Sequence, residues 1–182
     1  MSIKRTLILL TLLVITGVLT CGWLLQNERD KFEMAIISLG DSSNSPTSLQ
    51  MYNIIENKSK EYDIPKHILY NIAYLETRYC GPFDWSYNPY QTSCAGAQGP
   101  MQIITRFAHK HAGRTVSEKE LRTNLELNIN VSCHMLKELY KTYGRWDIVL
   151  GYYNTGYPQV NGYAQYGSSN KDYKNKWIKP NF

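Results

Sequence analysis

The chain has 182 residues, enough for one globular domain with appendages and too few for two large ones. With 43% hydrophobic and 19% charged residues it can bury a core, which excludes a wholly disordered chain. The net charge of +5 comes from 20 Lys+Arg against 15 Asp+Glu, and leaving out Lys4 and Arg5 lowers the basic count to 18, too small an excess for a nucleic-acid binder.

Thr6–Leu25 is a run of twenty uncharged residues, led by Lys4 and Arg5 and closed by Asn27-Glu28-Arg29-Asp30-Lys31. Its length matches the ~20 residues that cross a bilayer and exceeds the ~7–15-residue apolar core of a cleavable signal. Residues 1–26 are therefore expected to form a transmembrane anchor, with a cleaved signal as the alternative. Val18-Leu19-Thr20-Cys21 faintly resembles a lipoprotein cleavage site, and the interspersed Thr and Gly suit a span that later leaves the membrane. Lys4 and Arg5 favour a cytoplasmic N-terminus. The expected location is the inner membrane, with the folded part in the periplasm or cell envelope. Residues 27–46 read as a juxtamembrane segment and linker, because Phe32–Leu39 continues an apolar helical pattern and small, polar, turn-forming residues come after it up to Pro46.

The folded domain is expected over residues 47–166. Thr47 with Gln50 fits a capping box that opens a helix through about Tyr62. Pro65 suits the first position of the next helix, in which Ile64, Ile68, Leu69, Ile72 and Leu75 recur at three- and four-residue steps. Glu76 falls at the edge of that buried stripe. Residues 80–99 have no clear period and predict a loop or a short irregular hairpin. Pro100 predicts a third helix from Met101 to about Ala112, stopped by Gly113.

Ser117 with Glu120 is a second capping box, and Val116 with Leu121 can staple it. Asn124 predicts a cap on a long helix to Tyr143, with Leu125, Ile129, Ser132, Cys133, Leu136, Leu139 and Tyr140 on one face and Gly144 ending it. Asp147 then caps a short apolar helix delivering Tyr152, Tyr153 and Asn154 to a turn, and Pro158–Tyr166 predicts a last helix. Residues 167–182 form a basic tail carrying Lys171, Lys174, Lys176 and Lys179 with Tyr173 and Trp177, expected to be solvated. The fold class is mainly α behind one N-terminal transmembrane helix.

Four short motifs occur in order: Glu76 closing a helix, Ser93-Cys94-Ala95-Gly96-Ala97-Gln98-Gly99-Pro100-Met101-Gln102, Asn128-Ile129 in the long helix, and Tyr153-Asn154-Thr155-Gly156. Together they resemble the lysozyme-like domain of soluble lytic transglycosylases and goose-type lysozymes over roughly residues 50–166. The resemblance implies a compact lysozyme-like helical domain that cleaves the MurNAc–GlcNAc glycan of peptidoglycan. Three departures stand out: Thr77 replaces the Ser that usually comes after the Glu, Pro100 replaces the Leu before Met-Gln, and Tyr79–Thr92 looks like an insertion.

A carboxyl group on the inward face of a helix loses water, which penalises its charged form and raises its pKa toward the range useful to a general acid. Glu76 is thus the expected catalytic residue. A single carboxylate suffices where the N-acetyl group of MurNAc stabilises the positive charge at C1. The resemblance implies that the ionised Glu then draws the proton from the MurNAc C6 hydroxyl, giving a 1,6-anhydro sugar without consuming water. It also implies substrate-binding roles for Ser93, Met101, Gln102, Tyr153 and Asn154. Ser93 is expected to hydrogen-bond Glu76 or the acetyl group, Met101 to offer an apolar contact, and Tyr152 to pack inward. Asn128 is expected to be structural.

Two other readings are open. A lysozyme-type hydrolase would keep Glu76 as acid and deliver water, with Asp84 as its best second carboxylate; a noncatalytic wall-binding module would keep the fold alone. Cys80 and Cys94 bracket the insertion and are the expected pair for a disulfide, whereas Cys133 reads as a buried thiol. Cys80, Cys94, Cys133 and His134 lack zinc-ligand spacing, so no metal or cofactor is expected. The expected partners are peptidoglycan strands and, through the anchor, the membrane.

Overall fold

The computed structural model describes residues 3–40 and 44–173, with side chains of the first helix described from Val14 onward, apart from 33, 37 and 40. Lys174, Lys176, Trp177 and Lys179 lie outside the described residues. The chain divides into two compact units, Met1–Ser38 and Leu39–Phe182.

The first unit is the helix α1 (Ile3–Gly40), continuous through the expected juxtamembrane segment. Its large apolar side chains between Val14, 64% exposed, and Leu25, 74% exposed, stand uncovered, whereas Ile36 near its end is buried. Among the described residues no helix is long and apolar enough to cross a membrane. The expected transmembrane span is not supported on that ground, and residues 6–13 of it lie outside the described side chains.

The second unit contains α2 (Thr47–Tyr62), α3 (Lys66–Thr77), the strands β1 (Ala97–Gln98) and β2 (Ile103–Ile104), α4 (Thr105–Ala112), α5 (Glu118–Thr123), α6 (Leu125–Tyr143), α7 (Trp146–Thr155) and α8 (Gly162–Ser169). It is mainly α, as expected. The stripes on α3 and α6 form the core: Ile68, Leu69, Ile72, Ile129, Cys133 and Leu136 are fully buried. Leu139 and Tyr140 are only half-buried: Leu139 faces a cleft and Tyr140 stacks on Trp146 of α7. α2 packs on α6, α3 on α8, and α7 on both α6 and α8.

Caps set most boundaries. Ser117, Asn124 and Asn161 accept hydrogen bonds from the amides of Glu120, Leu127 and Ala164, and the helices α4, α6 and α7 end at Gly113, Gly144 and Gly156 in left-handed conformations. The capping box expected at Thr47 does not form. Thr47 Oγ1 donates to the Tyr87 carbonyl and Gln50 Nε2 to the Ser45 carbonyl, so both side chains tie down loops instead. Likewise α8 starts at Gly162, not Pro158, since Asn161 is the side chain that caps it.

The expected third helix starts late. α4 begins at Thr105, because Gly99 and Gln102 take positive φ (72° and 50°) and turn the chain so that β2 pairs antiparallel with β1, Ala97 opposite Ile104. Thr92 bridges Gln98 on the other side. This small ribbon is the irregular hairpin expected within residues 80–99, extended forward by five residues to Ile104. Tyr173 is not solvated: it is 8% exposed and stacks on Tyr70 with ring centroids 4.5 Å apart.

Candidate active site

Glu76 lies in the last turn of α3, half-buried, between fully buried Ile72 and nearly buried Thr77. Two side chains, Thr77 and Asn128, position the Gly99–Gln102 turn against this helix end. Thr77 Oγ1 lies 2.8 Å from Tyr87 Oη and donates to the Pro100 carbonyl at 3.0 Å, clamping the turn to the end of α3. The hydroxyl of the usual Ser is therefore retained, with a methyl group added.

Asn128 is the second clamp. Fully buried in α6, it donates to the Gln98 and Leu121 carbonyls (2.8 and 3.0 Å) and accepts from the Met101 amide at 2.9 Å. A buried amide with all three partners in place costs little to bury and holds three segments in one register. Gly99 lies against it, and a Cβ there would sit 2.6 Å from Asn128 Nδ2 and 2.8 Å from the Leu121 carbonyl oxygen. Only glycine fits that approach.

The Glu76 carboxyl is bonded to one phenol and acts through its charge on a second. Tyr163 Oη donates to Oε1 at 2.7 Å. Tyr153 Oη donates to the Met101 carbonyl at 2.7 Å and lies 3.1 Å from Ser132 Oγ, close enough for the Glu76 charge to act on it. Burial raises the Glu76 pKa and the Tyr163 hydrogen bond partly offsets the rise. Burial foremost, and then the Glu76 charge, hold both phenols well above the usual tyrosine range, so both remain donors. Oε2 makes no hydrogen bond among the described residues, yet it is not among the buried partnerless atoms, so it retains contact with solvent. The group is thus a carboxyl biased toward its acid form, with one oxygen positioned and the other accessible.

A cleft of about 540 Å³ opens beside this group between α4, α6 and α7. Gln102, Tyr153 and Asn154 line it; Glu76, Ser93 and Met101 do not. Tyr153 joins the two regions. Gln102 donates to the Gly99 carbonyl at 2.8 Å, and Asn154 Oδ1 accepts from Asn161 Nδ2 at 3.1 Å. Met101 is fully buried, so it meets the site through its carbonyl and supports the wall from behind. Ser93 is exposed, and its hydroxyl accepts from the Ala97 amide at 3.0 Å, closing its own turn and not reaching Glu76. Tyr152 is half-buried and lines the cleft, where inward packing was expected.

Asp84 is held in its own turn, accepting from Ser86 Oγ at 2.7 Å. Cys80 Sγ donates to the Arg78 carbonyl at 3.3 Å and Cys94 is exposed, and among the described residues no disulfide joins them, unlike the expected pairing. Tyr163 is the site residue that sequence reasoning missed. It stood among several tyrosines in late segments, and the only local signal was the Asn161-Gly162 helix start just before it.

These features define a helical domain built around one desolvated carboxyl, braced by phenols and flanked by a cleft. The chain belongs to the transglycosylase SLT domain family, which matches residues 53–176. Membership implies lytic transglycosylase-type cleavage with peptidoglycan as substrate. The match reaches past the expected boundary at residue 166 into the basic tail. No curated protein and no solved structure gives a match.

Proposed function

We propose that this chain is a lytic transglycosylase that cleaves the β-1,4 bond between MurNAc and GlcNAc and leaves 1,6-anhydro-MurNAc. The observation that carries the reading is the Glu76 carboxyl, raised in pKa by burial, with Oε1 held by Tyr163 and Oε2 accessible. Glu76 protonates the bridging oxygen as the bond to C1 breaks, and the N-acetyl oxygen of MurNAc stabilises the charge left at C1. The resulting carboxylate takes the proton of the C6 hydroxyl, whose oxygen closes on C1. Atoms balance without water, and Glu76 regains its proton.

Tyr163 and Tyr153 orient these transfers, and Gln102 and Asn154 hold sugar amides along the wall. Ser93 and Met101 serve the site through the turn and the backbone they support. The uncovered apolar length of α1 favours anchoring in the inner membrane with the domain in the periplasm, suited to local opening of the wall.

Mass spectrometry of digested sacculi tests the reaction. Products should be lighter by one water than reducing muropeptides, and Glu76→Gln should lower turnover by about 10²–10⁴-fold while the protein stays folded. Reducing products would assign the hydrolase reaction instead, and undiminished cleavage by the folded variant would remove Glu76 as the acid.

A further inference from the structure

Besides Tyr153 and Asn154, the cleft is lined by residues of α4 and α6 whose chemistry differs from theirs. Arg106 and Lys110 stand four residues apart on α4, with Phe107 and His111 on the adjoining line, and Glu138 and Leu139 face them from α6. Lys110 Nζ lies 2.6 Å from Glu138 Oε2, so these two charges cancel. His111 approaches the other carboxylate oxygen no closer than 3.9 Å, and burial lowers its pKa, leaving a neutral ring at pH 7. Arg106 has no carboxylate within ion-pair reach among the described residues. Its guanidinium lies over the Phe107 ring, 4.7 Å from the centroid, which orients it.

His111 Nδ1 is sealed inside the wall, so the ring contributes packing and not a contact to anything entering the cleft. This wall thus presents one net cation with apolar surface from Phe107 and Leu139 beside it. Sugar rings of the glycan carry no ionised group, so a cation gains nothing specific from them. The ionised carboxylates of the strand sit on the short peptide attached to the lactyl group of MurNAc, among amides and aliphatic stems.

We propose that the end of the cleft between α4 and α6 receives this stem peptide, with Arg106 meeting a carboxylate and Phe107 and Leu139 the aliphatic parts. The inference rests on the peptidoglycan-cleaving function above and adds to it the part of the substrate that distinguishes intact strands from bare glycan.

The test compares the full chain and two variants on sacculi and on the same sacculi stripped of peptides by an amidase, with the lactyl carboxylates so freed capped as amides. Arg106→Ala should raise KM on intact strands by about fivefold, the size expected of one solvent-accessible charge contact, with kcat within about twofold. On stripped strands it should match the unsubstituted chain. Arg106→Lys should recover most of the loss, and circular dichroism should report unchanged folding for both. Equal losses on the two substrates, or no loss on intact strands, would overturn the assignment. Glu76→Gln in parallel separates the two claims: if it leaves cleavage intact the catalytic reading fails, whereas the peptide site fails only on the Arg106 comparison.

Discussion

Tyr163 controls the acidity of Glu76 from one atom. Its phenol donates to Oε1 and so stabilises the carboxylate, working against burial, which favours the acid. In Tyr163→Phe the burial effect stands unopposed, and the Glu76 pKa must rise further. The acid form then persists to higher pH, so the alkaline limb of the kcat/KM profile should move upward. The rate near neutrality should fall roughly tenfold or more, since a hydrogen bond to a charged group contributes about 1.5–3 kcal/mol. A pH–rate series checks both, and a limb that stays in place or moves down would show that the phenol does not act on this carboxyl. Glu76 itself was legible in the sequence, because the isoleucine stripe of α3 fixes which side of the helix it occupies. Tyr163 was not, because its closeness to Glu76 arises only when α8 folds back on α3, through Asn71 Nδ2 donating to the Gly167 and Asn170 carbonyls.

At the scale of elements, α8 depends on a close approach elsewhere. The loop 157–161 passes over α7 at Gly151, where an added Cβ would lie 1.5 Å from the Gln159 carbonyl oxygen. Backbone cannot yield there as a flexible side chain would. Gly151→Ala should therefore displace the loop and the Asn161 cap that starts α8, taking Tyr163 out of register with Glu76. The expected cost is about 1–3 kcal/mol, seen as a drop of several degrees in Tm, together with loss of most glycan cleavage. Retained activity at unchanged Tm would show that the loop is not needed where it lies. The same scale explains which boundaries the sequence disclosed. Helices closed by glycine or opened by Ser117 and Asn124 were readable because their caps are local. The start of α4 was not, since Pro100 is a good helix opener and only the buried Asn128 amide, 28 residues on from it, holds Met101 in a turn instead.

For the whole molecule, the question is how a glycan-cutting domain is kept near its substrate. At 1.5 Å per residue the 38 residues of α1 measure about 57 Å, whereas a bilayer core needs about 30 Å. Under the proposed anchoring the segment ending at Leu25 occupies the core. The remainder is mixed: Glu28, Arg29, Asp30 and Lys31 lie on it, with Lys31 and Glu28 paired at 2.8 Å, and Phe32 and Met34 stand exposed beyond them. The full chain should then sediment with membranes and resist high-salt washing, because burial of apolar surface holds it and not screened charge. Detergent should release it. Residues 44–182 alone should stay in the soluble fraction yet cleave isolated sacculi within about threefold of the full chain, since the residues proposed for catalysis all lie in the second unit and tethering alters only effective concentration. Release of the full chain by salt, or an inactive soluble domain that is nonetheless folded, would contradict this division of labour.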